Sequence, residues 1–411
     1  MAVRSTQAGA NQVDVLFVSP SLIEVNTDRG GGIEESSYRI GSQLSRQFRV
    51  GIVGPFLDEF VGTTRRNENL LILQVPFPAL QRYLPQSNWH LFWIKTIMIP
   101  LYCSLLALDL FRILARGVGV VVVHNGPPGL VAATLARMFG SKIIFSEGNT
   151  YPWSNPFLDI HKLGPLRRVA YLELSTIGTL LARVADRIRT QSYSISKALV
   201  ARGIPPTKIH VINTGAETAL FRPTAVTRHG SGLRVGFIGR LNEEKGTRFL
   251  AELILSCQTT LPAVRFKVLG DGPYRQQLER MQNVECVGWI PHSEVAAALG
   301  DIELVVSFQM EFGLAEMEAM AAGKVMVVRD SEDIIALVHH LENGFVCDGS
   351  TSSYVQAIKY LMDRPDEIAR ISTGARKAAE TNFDWNVVGN RWVSLLKETL
   401  ENDIRIAGDP S

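Results

Sequence analysis

The apolar positions of this chain alternate between short continuous runs and longer stretches with helical periodicity. In the first half, the runs that predict buried strands are 13–19, 50–53, 118–123 and 142–146. In the second half, the corresponding runs are 233–238, 264–269, 284–287 and 302–307. Strands that alternate with helices at this spacing are typical of parallel, doubly wound sheets. The pattern therefore predicts an α/β protein with two such sheets.

The boundary between the two series is predicted near Asn213, after a Pro-Pro pair and a short strand, where a hinge between domains would lie. This gives an N-terminal domain over 13–213 and a C-terminal domain over 214–384. A final amphipathic stretch, 385–402, predicts one more helix. The polar segments 1–12 and 403–411 are interpreted as flexible tails.

Composition excludes several classes of protein. A length of 411 residues suffices for two domains with separate cores. A formal net charge of +2 gives no reason to expect a nucleic-acid partner. The four cysteines lie far apart without a C-x-x-C spacing, so neither zinc nor a disulfide framework is indicated. Because 1–12 lacks the apolar core of a signal peptide, we expect a cytoplasmic location.

A loop rich in carboxylates follows the apolar run that ends at Phe308. Residues 311–323 bring Glu311 and Glu318 to the junction of a predicted strand and helix. Ligands of open parallel sheets bind beyond the carboxyl ends of the strands, so both side chains are candidates for a binding site. The alternative is that they only complement the dipole of the helix.

Two cations follow another strand end, five residues apart. The strand 233–238 leads into Gly239, whose backbone can approach an anion, and Arg240 and Lys245 come next. A guanidinium can hold two phosphate oxygens, and an ammonium adds a mobile point charge. The pattern indicates a phosphate site; the alternative is a solvated turn whose cations are neutralised by two neighbouring glutamates.

These segments give the chain a resemblance to the retaining GT-B glycosyltransferases of family 4. The matching motifs, in the order of the family, are Gly30-Gly31-Gly32, Asn213-Thr214-Gly215, Gly239-Arg240-Leu241, Glu244-Lys245-Gly246, Gly270-Asp271-Gly272-Pro273, Phe312-Gly313-Leu314 and Glu318-Ala319-Met320-Ala321. The resemblance implies two Rossmann-like domains that face each other across a cleft, with the C-terminal helix crossing back to the N-terminal domain. It also implies transfer of a sugar from a nucleotide-diphosphate sugar to a glycan, lipid-linked or small-molecule acceptor. The nucleotide sugar is a substrate, and no cofactor is expected.

The same resemblance assigns roles to individual residues. Arg240 and Lys245 would stabilise the leaving diphosphate, Glu318 would bind the ribose, and Glu311 would contact the donor sugar. The remaining donor-binding candidates are Gly31, Gly32, Gly239, Phe312, Gly313 and Leu314. For the early glycines, the alternative is a flexible loop that touches no ligand.

Two departures from the family pattern affect the donor side. Six residues separate Glu311 from Glu318, one fewer than the family normally has, and Met310 occupies the aligned position. Residues 331–336 stand where the family often has a Gly-Gly turn and a further glutamate. These changes support an alternative function as a catalytically weak or inactive scaffold that binds nucleotides or glycans. The donor loops lack a D-x-D spacing, so we expect no metal site. We also expect the activity to be independent of metal ions.

Two residues are candidates for the acceptor side. His124 follows the predicted strand 118–123, and Glu147 follows 142–146, so both belong to the same edge of a parallel sheet. In the resembling family a histidine often occupies the place of Glu147, which is therefore both an acceptor-side and a catalytic candidate. For His124, a structural histidine with satisfied hydrogen bonds is an equally good interpretation.

The segment 75–116 is unusually apolar and aromatic. Lys95, Pro100 and Asp109 interrupt it, so it does not predict a helix that spans a bilayer. One interpretation is a buried helix pair of the N-terminal domain. The other is peripheral contact with the inner face of a membrane, or with a lipid-linked acceptor, through 89–111.

Overall fold

The computed structural model describes residues 13–19, 32–56, 63–78, 97–148, 153, 164–224 and 232–406. The chain divides into two compact units. Unit 1 holds the described residues before Thr214 together with those from Gly389 onward, and unit 2 holds those from Thr214 to Val388. The predicted tail 1–12 and the glycines Gly30 and Gly31 lie outside the described residues.

Unit 1 contains a mostly parallel sheet. Its described strands are β1 (Val13–Val18), β2 (Val50–Phe56), β3 (Thr63–Asn67), β4 (Leu70–Pro78), β5 (Val118–Val123), β6 (Lys142–Glu147), β7 (Arg187–Thr190) and β8 (Ile209–Val211). They lie in the order β3-β4-β2-β1-β5-β6-β7-β8. Only the edge pair β3 and β4 among these is antiparallel. The valine-rich β5 lies in the middle of the sheet, as a strand buried on both faces should.

Helices connect these strands and cover the sheet. They are α1 (Gly32–Leu44), α2 (Ile99–Leu114), α3 (Pro127–Met138), α4 (Pro165–Val184) and α5 (Tyr193–Val200). Prolines occupy the first turns of α2, α3 and α4, where a missing N–H costs no helical hydrogen bond. α2 buries Tyr102, Leu106, Leu110 and Leu114, which recur every fourth residue. One side of α2 therefore belongs to the core, while residues 79–96 of the predicted helix pair lie outside the described residues.

Unit 2 contains a fully parallel sheet. Its strands are β9 (Arg234–Ile238), β10 (Arg265–Leu269), β11 (Val284–Gly288), β12 (Leu304–Ser307), β13 (Val325–Arg329) and β14 (Gly344–Cys347), in the order β11-β10-β9-β12-β13-β14. Its helices are α6 (Thr247–Thr260), α7 (Arg275–Glu279), α8 (His292–Ala298), α9 (Leu314–Ala321), α10 (Glu332–Ile335), α11 (Thr351–Met362) and α12 (Pro365–Asn382). Successive residues of β13 enter two different hydrophobic clusters, which shows that the sheet is covered on both faces.

The strand order of unit 2 determines where a ligand can bind. β9 and β12 are neighbours, but the chain leaves β9 toward β10 and β11 on one side and leaves β12 toward β13 and β14 on the other. The chain therefore leaves these two neighbouring strands in opposite directions. Such a place is called a topological switch point, and in open α/β sheets it forms the crevice in which the ligand binds.

The last helix, α13 (Trp385–Ile406), returns the chain to unit 1. Its Trp392 is fully buried, and the ring packs 5.8 Å from the ring of Phe17 in β1. The resemblance implied this return. The helix continues beyond the predicted boundary at residue 402, because neither glycine nor proline occurs between that residue and Gly408. Within the described part of the chain, no helix combines the length and apolar character needed to span a bilayer.

Candidate active site

A recess opens at the switch point of unit 2, between the carboxyl ends of β9 and β12. Its lining residues are Phe237, Ile238, Lys245, Val305, Val306, Ser307, Gln309, Ala315 and Glu316. They come from the ends of both strands, from the turn after β9, from the loop after β12 and from the first turn of α9. Lys245 of one sequence motif and Ala315 and Glu316 of the other therefore line one recess.

The turn that carries the two cations is held by its own backbone. Asn242 caps a short 3₁₀ turn by accepting a hydrogen bond from the Lys245 N–H at 3.0 Å. Gly246 then adopts a left-handed conformation with φ of 73°, and a Cβ there would lie 2.7 Å from the Cβ of Phe308. Only glycine fits this position, so the backbone fixes Lys245 beside the recess.

The two cations have little competition for an anion. The Arg240 side chain is 74% exposed and makes one ion pair, 3.6 Å long, with Glu244. Exposed pairs of this kind contribute about 0–1 kcal/mol, so an incoming phosphate can displace the carboxylate. No carboxylate of the described chain lies within ion-pair distance of Lys245. Lys245 lines the recess, and the phosphate contacts of both cations stay predictions.

Glu316 is a buried polar residue of the site that the sequence analysis missed. One of its carboxylate oxygens accepts a hydrogen bond from the Gly313 N–H at 3.0 Å, and the other accepts one from the Ser307 hydroxyl at 3.1 Å. It thereby joins the end of β12 to the start of α9. The signal was present in the sequence, because a glutamate three residues after a helix N-cap is half of a capping box.

Glu318 is 4% exposed, and its carboxylate lies against a histidine. The His292 Nε2 is 2.6 Å from the Glu318 Oε1, and the tautomer with its proton on Nε2 donates to this oxygen. The His292 ring also packs 5.5 Å from the ring of Phe221. His292 begins α8, and nothing in its local sequence distinguished it.

The two departures from the family pattern contact each other. The Ser331 hydroxyl donates a hydrogen bond to the Met310 carbonyl at 2.6 Å, and it also accepts one from the Ile334 N–H as the N-cap of α10. The loop before α9 is therefore tied to the loop after β13. Glu311, which directly follows Met310, has a half-buried side chain.

Three other donor-side candidates lie in the same loop. Gly313 and Leu314 form the start of α9 and are half-buried. The Phe312 side chain is 2% exposed and packs in the hydrophobic core of unit 2. A donor contact of Phe312 would therefore use its backbone, and that contact stays a prediction.

In unit 1, His124 is buried and both ring nitrogens have partners. Nδ1 is 3.0 Å from the Ser146 carbonyl, and Nε2 is 3.3 Å from the Ser37 hydroxyl. Burial, followed by the nearby charge of Arg189, lowers the pKa of His124 from 6.5 to about 4. The ring is therefore neutral at pH 7, donates from Nδ1 and accepts at Nε2. This contact pattern agrees with the structural alternative stated for His124.

Glu147 ends β6 beside His124 and is 2% exposed. The side-chain amide of Asn125 donates to its Oε2 at 2.9 Å. The structure thus brings the two acceptor-side candidates together at the carboxyl edge of the unit 1 sheet. Gly32 begins α1, and Gly31 lies outside the described residues. No group of three or more potential metal-ligating side chains occurs in the described ranges.

Two Rossmann-like sheets and a last helix that returns to the first of them define the GT-B architecture, and solved structures share it. A sucrose-phosphate synthase from Thermosynechococcus elongatus has a TM-score of 0.74 and 14% identity, over 94% of this chain and 99% of that chain. Anabaena HepE in complex with UDP-glucose has a TM-score of 0.65 and 16% identity, over 94% and 100%. Identities this low establish the fold alone.

Family models extend the identification to the sequence. A model described as glycosyl transferase 4-like domain matches residues 31–215, and one described as glycosyl transferases group 1 matches residues 232–364. The chain therefore belongs to the GT-B glycosyltransferases similar to family 4.

Two curated relatives are more similar to this chain in sequence than these solved structures are. A phosphatidylinositol N-acetylglucosaminyltransferase subunit of Arabidopsis thaliana is 28% identical over 258 residues, which are 60% of this chain and 54% of that protein. The putative colanic acid biosynthesis glycosyltransferase WcaL of Escherichia coli K12 is 26% identical over 300 residues, or 68% and 70%. The chain thus spans about half the length of the first relative.

Proposed function

We propose that this protein transfers a sugar from a nucleotide-diphosphate sugar to a glycan, lipid-linked or small-molecule acceptor, with retention at the anomeric carbon. The observation that carries the proposal is the pair of cations, Arg240 and Lys245, on one fixed turn at the switch point of unit 2. Two cations at this point suit a diphosphate better than any uncharged ligand. A nucleotide-sugar donor also agrees with the expected cytoplasmic location.

The reaction needs charge stabilisation at the leaving group. As the bond between the sugar and the diphosphate breaks, negative charge builds on the diphosphate and positive character on the sugar ring. We assign Arg240 as the group that holds two phosphate oxygens in its planar fork and Lys245 as a second positive charge beside it. Preorganised charges of this kind are usually the largest contribution to catalysis.

We assign the ribose of the donor to Glu318. A carboxylate oxygen has more than one lone pair, so Glu318 can keep its hydrogen bond with His292 and still accept one from a ribose hydroxyl. His292 then acts as a positioning residue that fixes the direction of the carboxylate. Gly239, with φ of 145°, lets the backbone approach the phosphates, and Gly31 and Gly32 stay proposed as donor contacts from unit 1.

We assign Glu311 to the donor sugar and Glu147 to the acceptor. The relatives support a nucleotide sugar in general terms, since structures of Anabaena HepE hold UDP, UDP with glucose, or UDP-glucose. UDP donors are therefore the first to test. Peripheral membrane contact through 89–111 stays proposed.

A second candidate function is a scaffold that binds nucleotides or glycans with little turnover. The observation that favours it is the hydrogen bond between Ser331 and Met310, because it ties down the loop in which Met310 takes the aligned sequence position of the family's first glutamate. The intact Arg240, Lys245 and Glu318 favour the enzyme.

The experiment that separates the two candidates is a panel of UDP-, GDP-, ADP- and dTDP-sugars, examined by ligand-observed NMR for binding and slow hydrolysis. We expect one donor to bind and to be hydrolysed. If free nucleotide diphosphates bind but no conjugate is turned over, the scaffold is the better description. If no nucleotide or nucleotide sugar binds, the transferase and the nucleotide-binding scaffold are both wrong, and only a glycan-binding scaffold is left.

A further inference from the structure

One segment of unit 2 contacts α8, the helix that begins with His292, at both of its ends. Residues 216–224, which we call the entry segment, follow the crossing of the chain from unit 1 and belong to unit 2 throughout. The Phe221 ring of this segment packs 5.5 Å from the His292 ring. The Thr224 hydroxyl donates to the Gly300 carbonyl, just beyond the end of α8, at 3.1 Å. The entry segment therefore supports α8 at its start and at its end.

The start of α8 depends on this support. The helix is 7 residues long, and helices this short are not stable without tertiary contacts. Its N-cap is Pro291, whose side chain has no oxygen that could accept a hydrogen bond from the first turn. The position of the His292 ring is therefore set by the groups that pack against it. Phe221, which is fully buried, supplies an aromatic ring at this place.

Phe221 is itself held in place through its backbone. Its N–H donates to the Glu217 carbonyl at 2.9 Å, and its carbonyl accepts a hydrogen bond from Arg376 of α12 at 2.5 Å. The same guanidinium nitrogen donates to the Ala321 carbonyl at the end of α9, at 2.6 Å. Because Glu318 lies in the last turn of α9, Arg376 fixes the Phe221 backbone relative to the helix that carries this carboxylate.

We propose that Phe221 is a positioning residue for the ribose of the donor, a role that rests on the proposed function of Glu318. The His292 ring can turn about its side-chain bonds, and only some orientations direct Nε2 at Glu318. The Phe221 ring, packed against the imidazole, limits these orientations. The Glu318 carboxylate is then already oriented when a ribose hydroxyl arrives, so less conformational entropy is lost on binding.

The test measures how strongly the protein prefers a ribose to a sugar ring without its two hydroxyls. Calorimetry compares UDP, GDP and ADP with their 2′,3′-dideoxy counterparts, at a temperature at which every variant is folded. The parent should bind a ribonucleotide about tenfold more tightly than its dideoxy form, because the Glu318 carboxylate accepts a charge-assisted hydrogen bond. Phe221→Leu should reduce this preference to about threefold by weakening the binding of the ribonucleotide alone.

A double variant tests whether Phe221 acts through His292. His292→Ala should abolish most of the preference, and adding Phe221→Leu to it should cause no further loss. Two substitutions that remove the same interaction are not additive, whereas independent ones are. A further loss of the preference in the double variant would overturn the proposed route through His292.

Phe266→Leu is the matched control. Phe266 is also buried in unit 2, but it lies in β10 and belongs to a different hydrophobic cluster from Phe221. The control removes the same atoms from a core, so it should lower the thermal unfolding midpoint as Phe221→Leu does and should keep the parent's preference for ribose. If Phe221→Leu does not fold, Phe221→Met takes its place, because the flexible methionine side chain fills irregular space in a core.

Failure of the donor site and failure of the Phe221 role give different results. If the parent binds none of the ribonucleotides, the proposed donor site is wrong. If the parent binds a ribonucleotide and its dideoxy form equally, the assignment of the ribose to Glu318 is wrong, and the role of Phe221 is overturned with it. If Phe221→Leu keeps the full preference, or if Phe266→Leu loses it equally, Phe221 only packs the core, and the donor site stands without it.

Discussion

The carboxyl edges of the two sheets present their candidate residues in opposite ways. In unit 1, His124 and Glu147 are buried and hydrogen-bonded within the unit. In unit 2, Arg240 is 74% exposed and Lys245 borders an open recess. Exposed cations contribute little to folding, so the presence of two of them on one fixed turn is better explained by a ligand. Buried polar groups contribute to folding through each partner, so a substitution there tests structure and ligand together.

The largest effect should come from Lys245→Ala. Removing one of the two charges beside the diphosphate should lower kcat/KM about 10²–10³-fold, the range found when one preorganised donor is removed. The thermal unfolding midpoint should stay within about 1 °C, because Lys245 forms no ion pair within the described chain.

Lys359→Ala is the control for this prediction, since Lys359 is also an exposed lysine of unit 2, paired only with Asp363. It should leave both turnover and stability unchanged. Unchanged turnover in Lys245→Ala would show that Lys245, at the exposed edge of the unit 2 sheet, does not stabilise the leaving diphosphate.

Burial of His124 at the carboxyl edge of the unit 1 sheet should make the free energy of unfolding depend on pH. Burial lowers the pKa of His124 from 6.5 to about 4, so the unfolded chain takes up a proton that the folded chain does not. This contribution is fully present above pH 6.5 and is lost as the pH falls toward 4, by about 3 kcal/mol in total. Urea unfolding at about pH 7 and about pH 5 measures it.

His124→Gln removes the titrating group and should reduce the loss of stability between the two pH values. It should also lower the free energy of unfolding at pH 7 by about 1–3 kcal/mol, because the contacts with Ser37 and Ser146 are disturbed. An identical pH slope in the variant would mean that His124 is accessible to protons in the folded state, and the contrast between the two edges would be smaller than the structure indicates.

A smaller effect is expected for His292→Ala. The hydrogen bond from His292 to Glu318 is charge-assisted and 2.6 Å long, and its loss should leave the carboxylate less well oriented toward a ribose. Nucleotide affinity, measured by calorimetry with the diphosphate found in the donor panel, should fall about tenfold. The turnover of bound donor should change less than its affinity.

Ser293→Ala is the matched control, because Ser293 is the next residue of α8 and its side chain is exposed. Equal affinities for His292→Ala and the parent would show that the pair serves only the packing of α8 against α9. In that case the role of His292 in unit 2 would be structural, as it is for the buried His124 of unit 1.

Local motifs explain why the sequence predicted part of this site and not the rest. The turn from Gly239 to Gly246 was predicted because its glycines and its cations all lie within eight residues. His292 lies 26 residues from Glu318, and their contact depends on how α8 and α9 pack on the sheet. A family motif also does not say whether a residue such as Phe312 contributes its side chain or only its backbone to a ligand.

The sequence likewise predicted some features of the fold and not others. Alternating strands and helices predicted the parallel sheets, since that pattern depends on burial alone. The antiparallel edge formed by β3 and β4 was not predicted, because the short, polar β3 has no apolar period. The end of α13 was placed at residue 402 instead of Ile406, since a change to polar composition was taken as a helix end without a glycine or proline to cause it.

The smallest expected effect is that of a metal chelator. If Arg240 and Lys245 neutralise the leaving diphosphate, turnover of the donor found in the panel should change less than about twofold in EDTA. A comparison of Lys245→Ala with the parent protein tests this prediction more directly. With one charge gone, added magnesium can bind the diphosphate in solution and should restore a part of the lost rate, whereas magnesium should do little for the parent. Loss of all turnover of the parent in EDTA, restored by magnesium, would show that the exposed cations of unit 2 do not suffice, and the proposed role of Lys245 would then have to be shared with a metal ion.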